Sequence, residues 1–133
     1  MTRLARLVLP LLAAAALTGA AEAPSHVWAN PSKSVHIRFE PCGVNVCGTV
    51  IWASEKAIAD TRKGGGADLV GTQIFRNLRQ VRPNMWKGKV FVPDIRKTFG
   101  GTVTLVGDDR LVGKGCLILG VGCKSQVWTR VAD

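Results

Sequence analysis

Hydrophobic and polar residues alternate with a period of two along most of the chain, which is the pattern of strands with one buried face. Between residues 35 and 40, apolar side chains occupy the odd positions and polar or charged ones the even positions. Similar segments recur, and turn-forming residues such as the glycine and aspartates of 107–109 separate them. The pattern predicts eight strands, at residues 26–29, 35–40, 46–53, 69–78, 85–92, 99–105, 110–117 and 123–131.

The segment 54–68, with the sequence SEKAIADTRKGGGAD, is the longest connection between the predicted strands. The three consecutive glycines at 64–66 disfavour regular structure, because glycine loses the most conformational freedom on folding. The stretch SEKAIAD before them is long enough for one helical turn at most. We therefore expect a mobile surface loop here.

Eight sequential antiparallel strands predict an all-β fold, a small antiparallel up-and-down barrel of about eight strands. Closure of the sheet removes the unpaired edges that would otherwise favour aggregation. The interior of such a barrel is either nearly filled by side chains or holds one small ligand. A two-sheet sandwich is the alternative. Glycines within the predicted strands support the barrel, because tightly curved strands need glycine at their corners; these are Gly71, Gly88, Gly100, Gly101, Gly113 and Gly115.

The alternation also predicts which side chains face the interior and line any cavity there. We expect Trp52 and Trp86 to report ligand binding by fluorescence, because each lies mid-strand among alternating apolar residues. A register error of one residue exchanges the inner and outer faces of a strand. The predicted wall consists of Val35, Ile37, Phe39, Val50, Trp52, Trp86, Val90, Phe99, Val103, Leu105 and Trp128.

The N-terminal segment has the pattern of a secretory signal peptide. Arg3 and Arg6 precede an apolar run from residue 7 to residue 20, and small residues follow it. The run is shorter than the about 20 residues of a membrane-spanning helix, and no cysteine for lipid attachment follows it. We expect a signal peptide over residues 1–21 and a single β-barrel domain over residues 22–133. The mature chain should have no transmembrane segment and should be periplasmic or secreted.

The four cysteines form two close pairs, Cys42 with Cys47 and Cys116 with Cys123. In an exported chain, four cysteines indicate a disulfide framework with three possible connectivities. Proximity favours the two local bonds, because each pair brackets a predicted hairpin turn. A zinc site usually has C-x2-C spacing, and a redox pair usually has C-x-x-C at a helix start. The observed spacing fits two structural disulfides better than it fits a zinc site or a redox pair.

Residues with catalytic or metal-binding chemistry are sparse. The two histidines, His26 and His36, lie in strand patterns, and no further histidine is present to complete a His-rich metal site. Asp108 and Asp109 fall in a predicted turn rather than in a pair of catalytic carboxylates. Ser125 lies outside any nucleophile-elbow motif. The sequence therefore predicts no enzymatic activity, no cofactor and no metal site.

The formal net charge of the chain is +9, and removal of Arg3 and Arg6 with the signal peptide leaves +7. We interpret this charge as a solvated surface, with attraction to an anionic envelope component as the alternative. Nucleic-acid binding is not expected, because tyrosine is absent and the four tryptophans fall in strand patterns typical of buried residues. Two basic clusters are predicted, one of Arg76, Arg79, Arg82, Lys87 and Lys89 and one of Arg110, Lys114 and Lys124.

Three stretches resemble a bacterial family known as DUF2147: EPCGVNVCGTVIW, MWKGKVFVPD and the terminal TFGGTVTLVGDDRLVGKGCLILGVGCKSQVWTRV. Members of that family share a Cys-Gly…Cys-Gly hairpin, a W-x-G strand that ends in proline, an aromatic-x-G-x-aliphatic strand and a terminal G-C…S-Q-x-W-x-R. The resemblance covers roughly residues 26 to 131. The matching residues are Cys42, Gly43, Cys47, Gly48, Trp86, Gly88, Pro93, Phe99, Gly101, Gly115, Cys116, Ser125, Gln126, Trp128 and Arg130.

The resemblance implies an exported, lipocalin-like (calycin) barrel and implies no chemistry. Two features depart from the family: His26 replaces the usual glycine before the first strand, and the middle loop is shorter than the family's acidic one. In lipocalins an arginine near the end of the last strand covers a tryptophan of the first strand. Trp28 and Arg130 occupy comparable places, so we expect them to plug one end of the barrel through a cation–π contact.

These observations predict a non-enzymatic exported protein that binds a small apolar or anionic amphipathic ligand inside the barrel. The alternative is an envelope interaction or structural protein whose barrel is filled and which acts through its basic surface. A packed interior, with a cavity below about 300 Å³, would favour the alternative.

Overall fold

A computed structural model describes residues 24–118 and 121–131 of the chain. These residues form a closed barrel of eight antiparallel strands in sequential order, together with one helix. The predicted up-and-down barrel is confirmed, and the sandwich is excluded because the sheet closes on itself. The predicted signal peptide lies outside the described residues. The elements are β1 Val27–Ala29, β2 Val35–Cys42, β3 Asn45–Ala53, α1 Glu55–Lys63, β4 Gln73–Arg82, β5 Met85–Val92, β6 Lys97–Val106, β7 Arg110–Ile118 and β8 Val121–Arg130.

The barrel is closed by β1, its shortest strand, which pairs with both β2 and β8. Trp28 lies opposite Ile37 on β2 and opposite Arg130 on β8. The Val131 N–H donates to the Val27 carbonyl oxygen at 2.8 Å, which extends this seam by one residue beyond β8. β1 therefore closes the sheet over its own short length, at the C-terminal end of β8.

The two ends of the barrel differ in their connections. At one end, which we name the turn end, short turns join β2 to β3, β4 to β5 and β6 to β7. Gly43, Asn84 and Gly107 adopt positive φ there, as tight turns require. At the other end, named the helix end, lie the longer β1–β2, β3–β4 and β5–β6 connections, and α1 belongs to the second of these.

The helix α1 corrects the predicted loop at 54–68. Ser54 caps it, because the Ala57 N–H donates to the Ser54 Oγ at 3.1 Å, and Gly64 ends it. Lys56 and Asp60, four residues apart, form a salt bridge of 2.9 Å on its exposed face. The glycines therefore end the helix rather than prevent it, and the expectation of one turn at most is wrong.

The strand predicted at 69–78 begins only at Gln73, the first residue of β4. Residues 69–72 instead form a turn, in which the Thr72 N–H donates to the Leu69 carbonyl oxygen at 3.1 Å and Gly71 has a φ of +94°. Leu69 is buried, which explains why the apolar pattern extended the predicted strand.

The turn-end half of the barrel interior is filled by large apolar side chains. Ile37, Leu78, Val103 and Leu111 are completely buried. The Nε1 of Trp86, also buried, has no hydrogen-bond partner among the described residues. The core outside the cavity draws residues from seven strands: Trp28, Ile37, Val46, Val50, Leu78, Trp86, Val103 and Leu111.

Candidate functional site

A cavity of about 950 Å³ occupies the helix-end half of the barrel and opens to solvent at that end. Inner-face side chains of the strands form its wall, while α1 and the β5–β6 connection form part of its rim. Its apolar lining consists mainly of Val35, Leu69, Ile74, Phe75, Val90, Val92, Phe99 and Trp128. The volume lies within the range of about 300–1,000 Å³ that is typical of pockets for small molecules.

A bulge in β4 supplies two of these wall residues. Phe75 lies opposite Gly48 on β3, and Gln73 lies opposite the next β3 residue, Thr49. Ile74 is therefore the extra, unpaired residue of a β-bulge. Both Ile74 and Phe75 are buried and line the cavity, although neighbours in a regular strand face opposite sides.

The ring of Phe75 separates the cavity from the filled half. Its centroid lies 5.7 Å from the ring of Phe39 on one side and 5.7 Å from that of Trp128 on the other. A Cβ at Gly48 would lie 2.9 Å from the Phe75 ring, and one at Gly113 would lie 3.2 Å from it. Glycines on both sides of the barrel thus admit the ring, which forms the floor of the cavity.

Glycines also leave part of the wall without side chains. Gly115 on β7 lies opposite Gly101 on β6, at the level of the cavity. A Cβ built at Gly115 would lie 3.9 Å from the Cβ atoms of Phe99 and Val90, which is ordinary van der Waals contact. A larger side chain at 115 would therefore enter the cavity, and glycine there keeps the space empty.

Strand β8 carries a polar strip on this same inner wall. Lys124, Gln126 and Trp128 alternate along one face of β8 and all line the cavity. Lys124 lies opposite Gly115, and Gln126 lies opposite Gly113. The lysine and the glutamine therefore lie beside β7 positions that carry no side chain.

The rim joins α1 to the β5–β6 connection. The Thr61 hydroxyl donates to Asp94 Oδ1 at 3.3 Å, and Thr61 is buried. On the exposed side of α1, the hydrogen bond and the charge of Asp60 raise the pKa of Lys56 above its ordinary value. Ile95 and Leu117, both strongly exposed, complete the rim with apolar side chains.

The profile of a family described as "Uncharacterized protein conserved in bacteria (DUF2147)" matches residues 27–130, which span the barrel from β1 to β8. The chain belongs to the DUF2147 family. Neither the curated proteins nor the solved structures give a significant match. This DUF2147 chain has no group of three or more His, Cys, Asp or Glu residues placed to hold a metal ion within its described residues. Nor does any described helix have the length and hydropathy to cross a membrane.

Four of the predicted wall residues of this DUF2147 barrel, Val35, Val90, Phe99 and Trp128, line the cavity. The other seven are not part of its lining. Leu105 is half-buried and packs against the core. Five are buried in the protein core rather than in the cavity wall: Ile37, Phe39, Val50, Trp86 and Val103.

Trp52 is the one predicted wall residue that the structure places outside the barrel. Trp52 lies opposite His36, whereas Val50 lies opposite Ile37, so Ile51 is an extra residue that reverses the face of Trp52. Its side chain is 46% exposed, and its ring centroid lies 4.6 Å from that of His36. The prediction of Trp52 in the wall is therefore wrong.

Six of the wall residues described above are absent from the predicted wall: Leu69, Ile74, Phe75, Val92, Lys124 and Gln126. Lys124 was assigned to an outer basic cluster, but it shares the inner face of β8 with Trp128. Counting back by twos from Trp128 would have placed both polar residues on the inner wall. No sequence signal marks the bulge that turns both Ile74 and Phe75 inward.

Both predicted disulfides of this DUF2147 chain are confirmed. Cys42–Cys47 joins β2 to β3 at the turn end, and Cys116–Cys123 joins β7 to β8 beside the mouth of the cavity. No free cysteine is present among the described residues. The second hairpin's connection, residues 119–120, lies outside the described residues.

The register brings together the two residues predicted to plug one end of the barrel. Trp28 and Arg130 are direct neighbours across the β1–β8 seam. The indole of Trp28 is buried and donates from Nε1 to the Ser25 carbonyl oxygen at 3.0 Å. Arg130 is exposed at the turn end. Coverage of the indole by the guanidinium stays a prediction.

Proposed function

We propose that this DUF2147 protein is a non-enzymatic, exported carrier that binds one small apolar or amphipathic molecule in the helix-end cavity. The observation that carries the proposal is the cavity itself, about 950 Å³ in volume, open at one end and walled mainly by apolar side chains. Burial of an apolar ligand against such a wall contributes roughly 25 cal/mol for each Å² of apolar surface removed from water.

An exported location agrees with the two disulfides, because such bonds persist in oxidising compartments. The size of the cavity argues against the alternative of a filled barrel that acts only through its basic surface, since the open half far exceeds about 300 Å³. One residue of that basic surface, Arg76, lies 4.1 Å from the ring centroid of Phe91. Part of the surface charge is therefore engaged within the protein.

The proposal is tested by titrating the purified mature protein with a panel of medium-chain amphiphiles while recording tryptophan fluorescence. Trp128 lines the cavity and should report binding through saturable quenching. The affinity should fall only modestly in salt, because apolar burial supplies most of the binding energy. Absence of saturable quenching by every amphiphile, together with adhesion to anionic polymers that is lost in high salt, would support the surface-binding alternative.

A matched pair of variants tests whether ligands occupy the cavity. Gly115→Leu places a side chain inside the cavity and should abolish the quenching. Gly100→Leu is the control, because a Cβ at Gly100 meets no atom within 4 Å and this residue is exposed. If both variants bind as the wild-type protein does, the ligand site lies elsewhere and the proposal is wrong.

A further inference from the structure

The polarity of the cavity wall changes along one strand, β8. Trp128 lies at the Phe75 floor, where the two ring centroids are 5.7 Å apart. Gln126 and Lys124 follow on the same face toward the mouth. Lys124 lies four positions before Trp128, which corresponds to about 13 Å along the strand. An amphipathic molecule of that length would meet apolar groups at its inner end and a cation at its outer end.

The acidic side chains at the rim are already engaged with other groups. Asp60 forms the 2.9 Å salt bridge with Lys56. Asp94 accepts the hydrogen bond from the buried Thr61 hydroxyl. Lys124, in contrast, makes no hydrogen bond or ion pair with another described residue. Its charge is therefore available to a ligand.

The other lysines near the mouth are less suited to a ligand inside the barrel. Lys56 is paired with Asp60 on the exposed face of α1. Lys114 alternates with the inner-face glycines Gly113 and Gly115, so its side chain starts from the outer face of β7. Lys33 belongs to the β1–β2 connection and not to a strand of the wall. Lys124 is the cation that projects from the inner wall.

We infer that Lys124 determines the head-group specificity of the ligand, and that the ligand is a medium-chain carboxylate bound tail-first with its carboxylate at Lys124. This inference rests on the proposed carrier function. The ammonium group of Lys124 matches the single charge of a carboxylate, and the amide of Gln126 can donate a further hydrogen bond beside it. Gly115, the neighbour of Lys124 on β7, leaves room for the head group, because a Cβ built there would make only ordinary van der Waals contacts.

The test compares three probes with the same chain length and different head groups: dodecanoate, dodecanol and dodecyltrimethylammonium. The wild-type protein should bind dodecanoate at least about 10-fold more tightly than dodecanol, because charge-assisted hydrogen bonds are the stronger class. Lys124→Gln should lose this preference for dodecanoate and keep its affinity for dodecanol, which shows that the cavity is intact. Lys124→Glu should reverse the preference and favour dodecyltrimethylammonium.

Lys87→Gln is the matched control, because Lys87 is exposed on β5 and lies outside the cavity lining. It removes the same charge from the protein and should leave the affinities for all three probes unchanged. Equal binding of dodecanoate and dodecanol by the wild-type protein would overturn the role of Lys124 and leave the carrier function intact. An equal loss of dodecanoate affinity in Lys87→Gln and Lys124→Gln would overturn it as well. Failure of every probe to bind the wild-type protein would instead overturn the carrier function itself.

Discussion

The two halves of this barrel share eight strands and one pattern of alternation, yet one half is filled and the other is hollow. In the turn-end half, the inner face of β6 and β7 carries Val103 and Leu111, both completely buried. In the helix-end half, β7 carries Gly115, which lines the cavity and leaves the space beside it without a side chain. The open space therefore arises from the size of inner-face residues within one continuous sheet, with Phe75 as the boundary between the halves.

Substitution of Phe75, the residue at the boundary between the halves, should have the largest effect on the free energy of unfolding. Phe75→Ala removes a fully buried ring that touches both halves, and we expect a loss of about 3–5 kcal/mol in the free energy of unfolding. Phe99→Ala, in the cavity wall, removes a half-buried ring that already faces open space, so its loss should be less than half as large. Denaturant unfolding of the two variants measures the difference. Equal losses would mean that the helix-end half is as tightly packed as the turn-end half.

The two disulfides should contribute similarly to stability, but only one of them should affect ligand binding. Each closes a short loop, with sequence separations of 5 and 7, so removal of either should lower stability by roughly 2 kcal/mol in the chain-entropy description. The pair Cys116→Ser and Cys123→Ser should also weaken ligand binding, because this bond joins β7 to β8 beside the mouth of the cavity. The pair Cys42→Ser and Cys47→Ser, at the turn end, should leave binding unchanged. Thermal unfolding and fluorescence titration of both double variants check this, and a binding defect in the turn-end variant would contradict it.

A substitution at the seam between β1 and β8 measures how much a contact at the turn end contributes to stability. Arg130→Ala should reduce stability by about 0.5–2 kcal/mol if the guanidinium covers the indole of Trp28. Lys124→Ala, six residues earlier on β8 and at the helix end, removes a cation of the same strand and should reduce stability less. Denaturant unfolding distinguishes them. No change in Arg130→Ala would remove the support for a cation–π plug.

The order of strands was predictable from the sequence, whereas the division into two halves was not. Alternation and turn residues predict eight strands, and closure of the meander into a barrel pairs the two strands that would otherwise form the edges of the sheet. Whether an inner-face residue lines the cavity or the core depends on its level along the barrel, which the alternation does not encode. Val90 and Val103 have the same local pattern, yet one faces the cavity and the other is packed in the core.

Local deviations from regular structure account for the remaining errors. The glycines after α1 led to the prediction of a loop where the structure has a helix. The start of this helix is marked by the Ser54 cap and by acidic Glu55 in its first turn. A single extra residue, Ile51, reversed the predicted face of Trp52, and another, Ile74, brought two neighbours into the cavity. Bulges of this kind change the face of a side chain without changing the hydrophobic pattern.

The smallest effect is expected at Trp52, where the sequence and the structure disagree most clearly. Trp52→Ser removes a 46% exposed indole that contacts His36 from outside the barrel, so stability should fall by less than about 1 kcal/mol. The saturable quenching by ligand should persist in this variant, because Trp128 lines the cavity and Trp52 does not. In Trp128→Phe, by contrast, most of the quenching should disappear while the barrel still closes. Titration of both variants decides between the faces: if quenching were lost in Trp52→Ser and kept in Trp128→Phe, the bulge at Ile51 would be absent in solution and Trp52 would face inward.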